Sequence, residues 1–305
     1  MKETAVLLID CPDQKGLVAR VSSLLYRHGA NILHADQHQD HGLGLFFMRV
    51  EWGLNGSADS GSSTAKPVQA GSKTPPAVPF DLEAFKKEFE PLARELNMHW
   101  KLTTSGHRPR MALFCSQYLH CVGDLLFRWR AGELDCEIPL IISNHRAVAD
   151  LAVFYGIHFE HVSVNAATSA QAEARQLELL ARQKVELVVL ARYMQILSPG
   201  FVARYPKAII NVHHSFLPAF TGAKPYHAAH ARGVKLIGAT SHYVTEALDD
   251  GPIIEQDVAR ISHRDQVEDL VERGRDLERV VLSRAVRWHL DRRILCYENK
   301  TVVFD

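Results

Sequence analysis

The sequence predicts an α/β protein in two parts: a ferredoxin-like α+β unit of β-α-β-β-α-β order, then a doubly wound, mostly parallel sheet. Three observations carry that expectation. Over residues 4–103 the apolar pattern passes between period 2 and helical spacing in the order β-α-β-β-α-β. From Met111 onward, short apolar runs alternate with amphipathic stretches, the pattern of helices packed on a parallel sheet. Between the two lies a short polar segment at 105–109, so the expected domains are residues 1–104, a linker at 105–109, and residues 110–305.

Within the first part, residues 4–9 form an alternating and then apolar strand. The segment Cys11-Pro12-Asp13-Gln14-Lys15-Gly16 follows, where Asp13 or Gln14 can cap a helix bearing Leu17, Val18, Val21, Leu24 and Leu25 on one face. Gly29 ends that helix, and residues 30–37 and 43–51 read as a strand pair joined through Asp40-His41-Gly42. Residues 54–79 are rich in Ser, Gly, Ala, Lys and Pro. Such a composition buries too little apolar surface to offset its ordering entropy, so a mobile insertion is expected there. Helical spacing resumes over 81–96 with Leu82, Phe85, Phe89 and Leu92, and 99–103 returns as a strand.

The second part reads as strands at 111–115, 137–143, 157–162 and 185–190, separated by helices at 120–130, 147–155 and 169–182. Three further strands follow at 208–210, 236–244 and 253–258. A long helix over 265–294 carries Val267, Leu270, Val271, Leu277, Val281 and Ala285 on one side, and 302–304 adds a last strand.

Composition narrows the function. The 305 residues are 47% hydrophobic and 23% charged, ordinary for a globular protein with an ample core. Lys plus Arg equals Asp plus Glu at 35 each, so no whole-chain field draws nucleic acid or an acidic membrane. No apolar run is long enough to span a bilayer, and there is no signal-peptide pattern. Five cysteines without C-x-x-C spacing predict a reduced, cytoplasmic chain. No G-x-G-x-x-G follows the strand at 111–115, which removes support for a dinucleotide site. His34, His38 and His41, and likewise His227, His230 and His242, have no metal-ligand pattern around them, so no metal is expected. Arg284, Arg287, Arg292 and Arg293 fit a solvated or subunit-facing helix edge.

Chemistry concentrates at 208–261. The apolar run Ala208-Ile209-Ile210 ends in Asn211-Val212-His213-His214-Ser215, and polar residues beyond the carboxyl end of a buried parallel strand sit where such sheets bind ligands. Asn211 is either a turn-capping residue or a neutral donor toward a developing oxyanion; an amide donates at any pH and does not attack a carbonyl. His213, two residues on, shares its face and can supply a proton or stabilise charge. His214 is expected to point elsewhere. Asp249, in Leu248-Asp249-Asp250-Gly251-Pro252, is a turn residue that can also bring a carboxylate to the same crevice.

Asn211-Val212-His213, Ser215-Phe216-Leu217-Pro218, Asp249 ahead of Gly251-Pro252, and residues 190–199 (LARYMQILSP) together resemble the folate-dependent formyl-transfer enzymes. The doubled His213-His214 is similar to the deformylase branch of that family. Cys11-Pro12-Asp13, Lys15-Gly16-Leu17 and the order of elements resemble an ACT domain, a small-ligand regulatory module. The resemblance implies hydrolysis of 10-formyltetrahydrofolate to formate and tetrahydrofolate, with Asn211, His213 and Asp249 catalytic and no cofactor beyond the folate substrate. Asp249 would orient His213 and hold the attacking water. Met194, Gln195, Ile196, Leu197, Val202, Val244, Thr245 and Glu246 would form the pterin slot. It also implies a small amino-acid effector for the ACT-like part, a homodimer or homotetramer, and a role in supplying formate for purine synthesis. The loop Ser116-Gln117-Tyr118-Leu119-His120 lacks the glycine cluster with which ribonucleotide-formylating members hold a phosphate. The alternatives are formyl transfer to an amine acceptor and a non-catalytic metabolite sensor.

Overall fold

The computed structural model describes residues 3–54, 80–219 and 225–304, and the chain divides into two compact units, Met1–His107 with Phe304–Asp305, and Arg108–Val303. The expected mobile insertion lies outside the described residues apart from Leu54, which is buried.

The first unit runs β1 (Thr4–Pro12), α1 (Leu17–Arg27), β2 (Asn31–Asp40), β3 (Leu45–Gly53), α2 (Leu82–Glu95) and β4 (His99–Thr104). Its sheet has the order β2-β3-β1-β4 and every pairing is antiparallel, the ferredoxin-like arrangement. Leu7 and Ile9 of β1 pack with Val21, Leu24 and Leu25 of α1 and Phe85 and Phe89 of α2. The Asp81 side chain caps α2 by accepting from the backbone of Glu83 and Ala84. At α1 the expectation fails. The N-cap is Gly16 at φ 90°, with no side-chain cap, because the left-handed turn there leaves Asp13 and Gln14 outside the helix start.

The second unit contains β5 (Arg110–Cys115), α3 (His120–Arg130), β6 (Glu137–Ser143), α4 (Ala149–Tyr155), β7 (His158–His161), α5 (Ser169–Arg182) and β8 (Leu187–Ala191). It continues with α6 (Pro199–Val202), β9 (Ile209–His213), α7 (Pro225–Arg232), β10 (Leu236–Tyr243), β11 (Ile253–Arg260), α8 (Val267–Leu290), β12 (Ile294–Tyr297) and β13 (Lys300–Val303). The main sheet has the order β11-β10-β9-β8-β5-β6-β7. Strands β9, β8, β5, β6 and β7 are parallel, and β10 and β11 add an antiparallel edge. Helices cover both faces, so β5 is apolar at every position after Arg110. Met111, Leu113 and Cys115 pack toward α3 and α8, and Ala112 and Phe114 toward α5 and Phe201.

Chain direction reverses between β5 and β8: β6 follows on one side of β5, and β9 on the far side of β8. The carboxyl ends of β5, β8 and β9 therefore share one edge, with the topological switch point between the first two. At the other end of the unit, the long helix is shorter than expected. A capping box between Gln266 and Asp269 starts α8, and Arg292 at φ 57° turns the chain into the β12–β13 hairpin, where helix and a single strand were expected.

Candidate active site

Strand β9 does not stop at Ile210. Antiparallel pairing with β10 carries it on to His213, setting Asn211 opposite His242 and His213 opposite Thr240. Asn211 and His213 are thus ladder residues on one face, not loop residues, and the backbone holds both. The loop beyond them is pinned to β10. Thr240 Oγ1 donates to Ser215 O at 2.9 Å and accepts from Leu217 N at 3.0 Å. Gln256 Nε2 donates to Thr240 Oγ1 and to Leu217 O.

Asp249 arrives from the turn between β10 and β11, at φ 54°. A left-handed non-glycine residue is strained, and its neighbours over-determine it. A Cβ on Gly251 would lie 1.7 Å from Tyr243 O, so only glycine lets the turn close against β10. From the far side, Asn299 Nδ2 donates to Asp250 O at 2.7 Å and Thr301 Oγ1 to Ile253 O at 2.6 Å, so the β12–β13 hairpin braces the turn.

The three side chains line one cavity, His213 against Asp249 and Asn211 joined to the pair through His242. His213 Nδ1 stands 3.3 Å from Asp249 Oδ2, and His213 Nε2 is buried without a hydrogen-bond partner among the described residues. The His213 hydrogen bond holds the Asp249 carboxyl below its ordinary range against the opposing pull of burial. His242 links Asn211 to the pair. Its Nδ1 lies 2.9 Å from Tyr243 O, a carbonyl that can only accept, so the proton is on Nδ1 and Nε2 is the acceptor. Asn211 Nδ2 donates to that Nε2 at 3.2 Å, which sets the orientation of its amide. Burial keeps the His242 pKa below the usual histidine range despite Asp249 Oδ1 at 3.8 Å, so the ring is neutral near pH 7.

Asn211, His213 and Asp249 line a cavity of about 350 Å³, of the size that holds a small heterocycle. Met194, Gln195, Ile196, Leu197, Val244, Thr245 and Glu246 line it too, whereas Val202 sits in the core behind Leu197 and Val244. Ile196 is 71% and Leu248 64% exposed, an apolar rim of the kind that marks a binding mouth. His214, expected to point away, also lines the cavity, with its ring 5.2 Å from that of His213 and 5.9 Å from that of Tyr226. Leu248, His242 and Arg192 are among the lining residues that sequence reasoning missed.

Comparison with known proteins agrees with this fold. A family model described as Formyl transferase matches residues 109–286 and one described as ACT domain matches residues 5–51. A curated formyltetrahydrofolate deformylase of Synechocystis sp. is 51% identical, over 99% of this chain and 98% of that protein. The Bacillus subtilis protein of the same name is 47% identical over 98% of this chain and 93% of its own. The chain belongs to the formyltetrahydrofolate deformylase family. A crystal structure of a formyltetrahydrofolate deformylase from Pseudomonas syringae pv. tomato superposes with a TM-score of 0.90 at 46% identity, covering 100% of this chain and 95% of that one.

Two further features of this family member bear on its chemistry. No helix among the described residues is long and apolar enough to cross a membrane. Among the described residues, His120, Cys121 and Glu278 form the one grouping with metal-ligand atoms close together. Burial pushes the Cys121 thiol well above its ordinary range, and the Arg192 guanidinium already stands 3.4 Å from Glu278, so the charge a cation would bring is supplied by arginine.

Proposed function

We propose that the chain hydrolyses 10-formyltetrahydrofolate to formate and tetrahydrofolate, with Asn211, His213 and Asp249 as its catalytic residues. The observation that carries the reading is the His213–Asp249 pair beside the Asn211 amide, facing one apolar-rimmed cavity. The pterin lies against Met194–Leu197 and Val244–Glu246, which points its formyl group at that trio. Water adds to the formyl carbon as Asp249, which also lines the cavity, takes its proton directly. The second N–H of Asn211 and the protonated His213 Nε2 donate to the oxygen as it gains charge. The carbon–nitrogen bond breaks as the folate nitrogen takes up the proton that Asp249 removed from water, leaving formate. Donor, acid and base are all protein groups, so the reaction as drawn calls on no metal, cofactor or covalent enzyme intermediate. Incubation with 10-formyltetrahydrofolate and no acceptor tests it: repeated release of formate and tetrahydrofolate is expected, and turnover only when an amine is supplied would overturn it.

His242 acts here as a positioning residue. Its neutral Nε2 accepts from Asn211, and Asp249 and His213 are the titratable groups facing it. Protonation removes the acceptor, so kcat is expected to fall as pH drops below the ordinary histidine range toward the depressed value. The same sign holds for stability: the neutral ring contributes fully above the unfolded pKa of about 6.5, and that contribution is lost as pH falls through the lower folded value. His242→Ala should lower kcat by about 10²-fold. His242→Gln, whose carbonyl can accept without titrating, should recover part of the rate with a flatter acid limb. An acid limb unchanged in His242→Gln would remove this role.

The ACT domain match suggests a small-molecule ligand in the front unit, and we take it to be a small amino acid such as glycine or methionine. Calorimetric titration of the full chain with each checks this, heat from neither counting against it. Homodimer or homotetramer assembly and a role in balancing the one-carbon pool to feed purine synthesis complete the reading. The five cysteines are all free and at least half-buried, which suits a reducing cytoplasm.

A further inference from the structure

The switch-point crevice, where a doubly wound sheet ordinarily takes its ligand, is already full. Four elements meet there. The start of α3 delivers His120, the exit of β8 delivers Arg192, α7 delivers Tyr226 and α8 delivers Glu278. Glu278 is 1% exposed, and three partners surround its carboxylate: His120 Nε2 at 2.7 Å, Tyr226 Oη at 2.7 Å and Arg192 Nε at 3.4 Å. Burial raises the Glu278 pKa, but the His120 hydrogen bond, the Arg192 charge and the Tyr226 hydroxyl together outweigh it, so the group is ionised.

This arrangement is built, and it is not cheap to hold. Gly274 lies one turn before Glu278, and a Cβ there would sit 2.1 Å from Tyr226 Oη, so the phenol rests directly on the α8 backbone. Arg192 adopts φ 62° and carries its guanidinium 5.3 Å from the Tyr118 ring. Its side chain is only 10% exposed, yet Nε and Nη1 find no hydrogen-bond partner among the described residues. Beside it, Ser116 Oγ accepts from Met194 N at 3.1 Å and donates to Asn144 Oδ1 at 2.6 Å, tying the ends of β5, β6 and β8 together. A buried ion pair seldom adds net stability over apolar packing, so stability alone does not account for this one.

Position supplies the account. Arg192 and His214 both line the formyl cavity, and behind them stand Glu278 and Tyr226. They form the part of the wall that backs onto the crevice. We propose that the Arg192–Glu278 pair, clamped by His120 and Tyr226, determines the acceptor: it occupies the space a second substrate needs and leaves water as the nucleophile. This rests on the hydrolytic reading above. With an amine in place of water the balance is otherwise the same: an amine nitrogen–formyl bond forms, the formyl–folate nitrogen bond breaks, and the amine's proton passes to the folate nitrogen.

The test feeds 10-formyltetrahydrofolate carrying a ¹³C formyl group, with excess glycinamide as a small primary amine, and measures the ratio of N-formylglycinamide to formate by mass spectrometry. The proteins are the wild type, Arg192→Gly, whose glycine suits the left-handed backbone, and Arg192→Gly/Glu278→Gln, which removes both charges. The ratio should rise about tenfold or more in the variants, the scale on which filling or emptying a pocket discriminates between substrates. A merely structural Arg192 would lower both products together and leave the ratio alone. A ratio within about twofold of wild type in variants with native near-ultraviolet circular dichroism overturns the proposal, as does a wild type that already formylates glycinamide efficiently. A wild type that releases no formate without amine instead overturns the hydrolytic reading, so the two failures are distinguishable.

Discussion

His213→Ala should lower kcat for formate release by about 10²–10⁴-fold while far-ultraviolet circular dichroism and Tm stay near wild type. The ring is held by one carboxylate on one side and has an unpartnered nitrogen on the other, so its removal deletes the proposed donor at the cost of a single side-chain hydrogen bond, that to Asp249. Asp249→Asn should cost a comparable factor, since an amide near Nδ1 keeps the contact but cannot stabilise the imidazolium. The pair works as a unit, so the double variant should be little worse than His213→Ala alone. Additive losses, or a single variant at near-full rate, would remove the pair from the mechanism. The lowered Asp249 pKa gives the pair a pH window as well. Its contribution to stability is in place above the ordinary carboxylate range and is lost as pH falls through the lowered value.

Asn211→Ala should lower kcat and kcat/KM together by about 10²–10³-fold, the loss of one oxyanion donor. Equal falls in both parameters mean that the contact strengthens only as charge develops on the formyl oxygen. A rise in KM with kcat intact would show that Asn211 merely binds the folate and would sink the oxyanion role. Asn211→Asp should be at least as damaging, because a carboxylate turned toward a growing negative charge opposes it.

Most of the architecture was legible because both units obey simple periodicities. The two helical stripes over Leu17–Leu25 and Leu82–Leu92, and the continuous apolar runs of β5 and β8, mark elements that bury one face or two. Asn211, His213 and Asp249 were singled out through their motif, and all three line the same cavity. What escaped depended on partners distant in sequence. The extension of β9 through His213 requires β10, which no local pattern announces. His242 looked like one histidine among 17 until that pairing set it against Asn211. Arg192 and Glu278 are 86 residues apart in number (278 minus 192), and nothing near either hints at the other. A period-2 argument sent His214 away from the cavity, and it failed because β9 ends at His213 and the next residue no longer alternates.

The small hairpin after the long helix has a consequence for biosynthesis. Asn299 and Thr301 hold the turn that carries Asp249, so a nascent polypeptide released only as far as the end of α8 has its amide and imidazole on a finished ladder but no anchored acid. The bracing of that turn therefore comes late in synthesis, when Ile294–Tyr297 and Lys300–Val303 fold back.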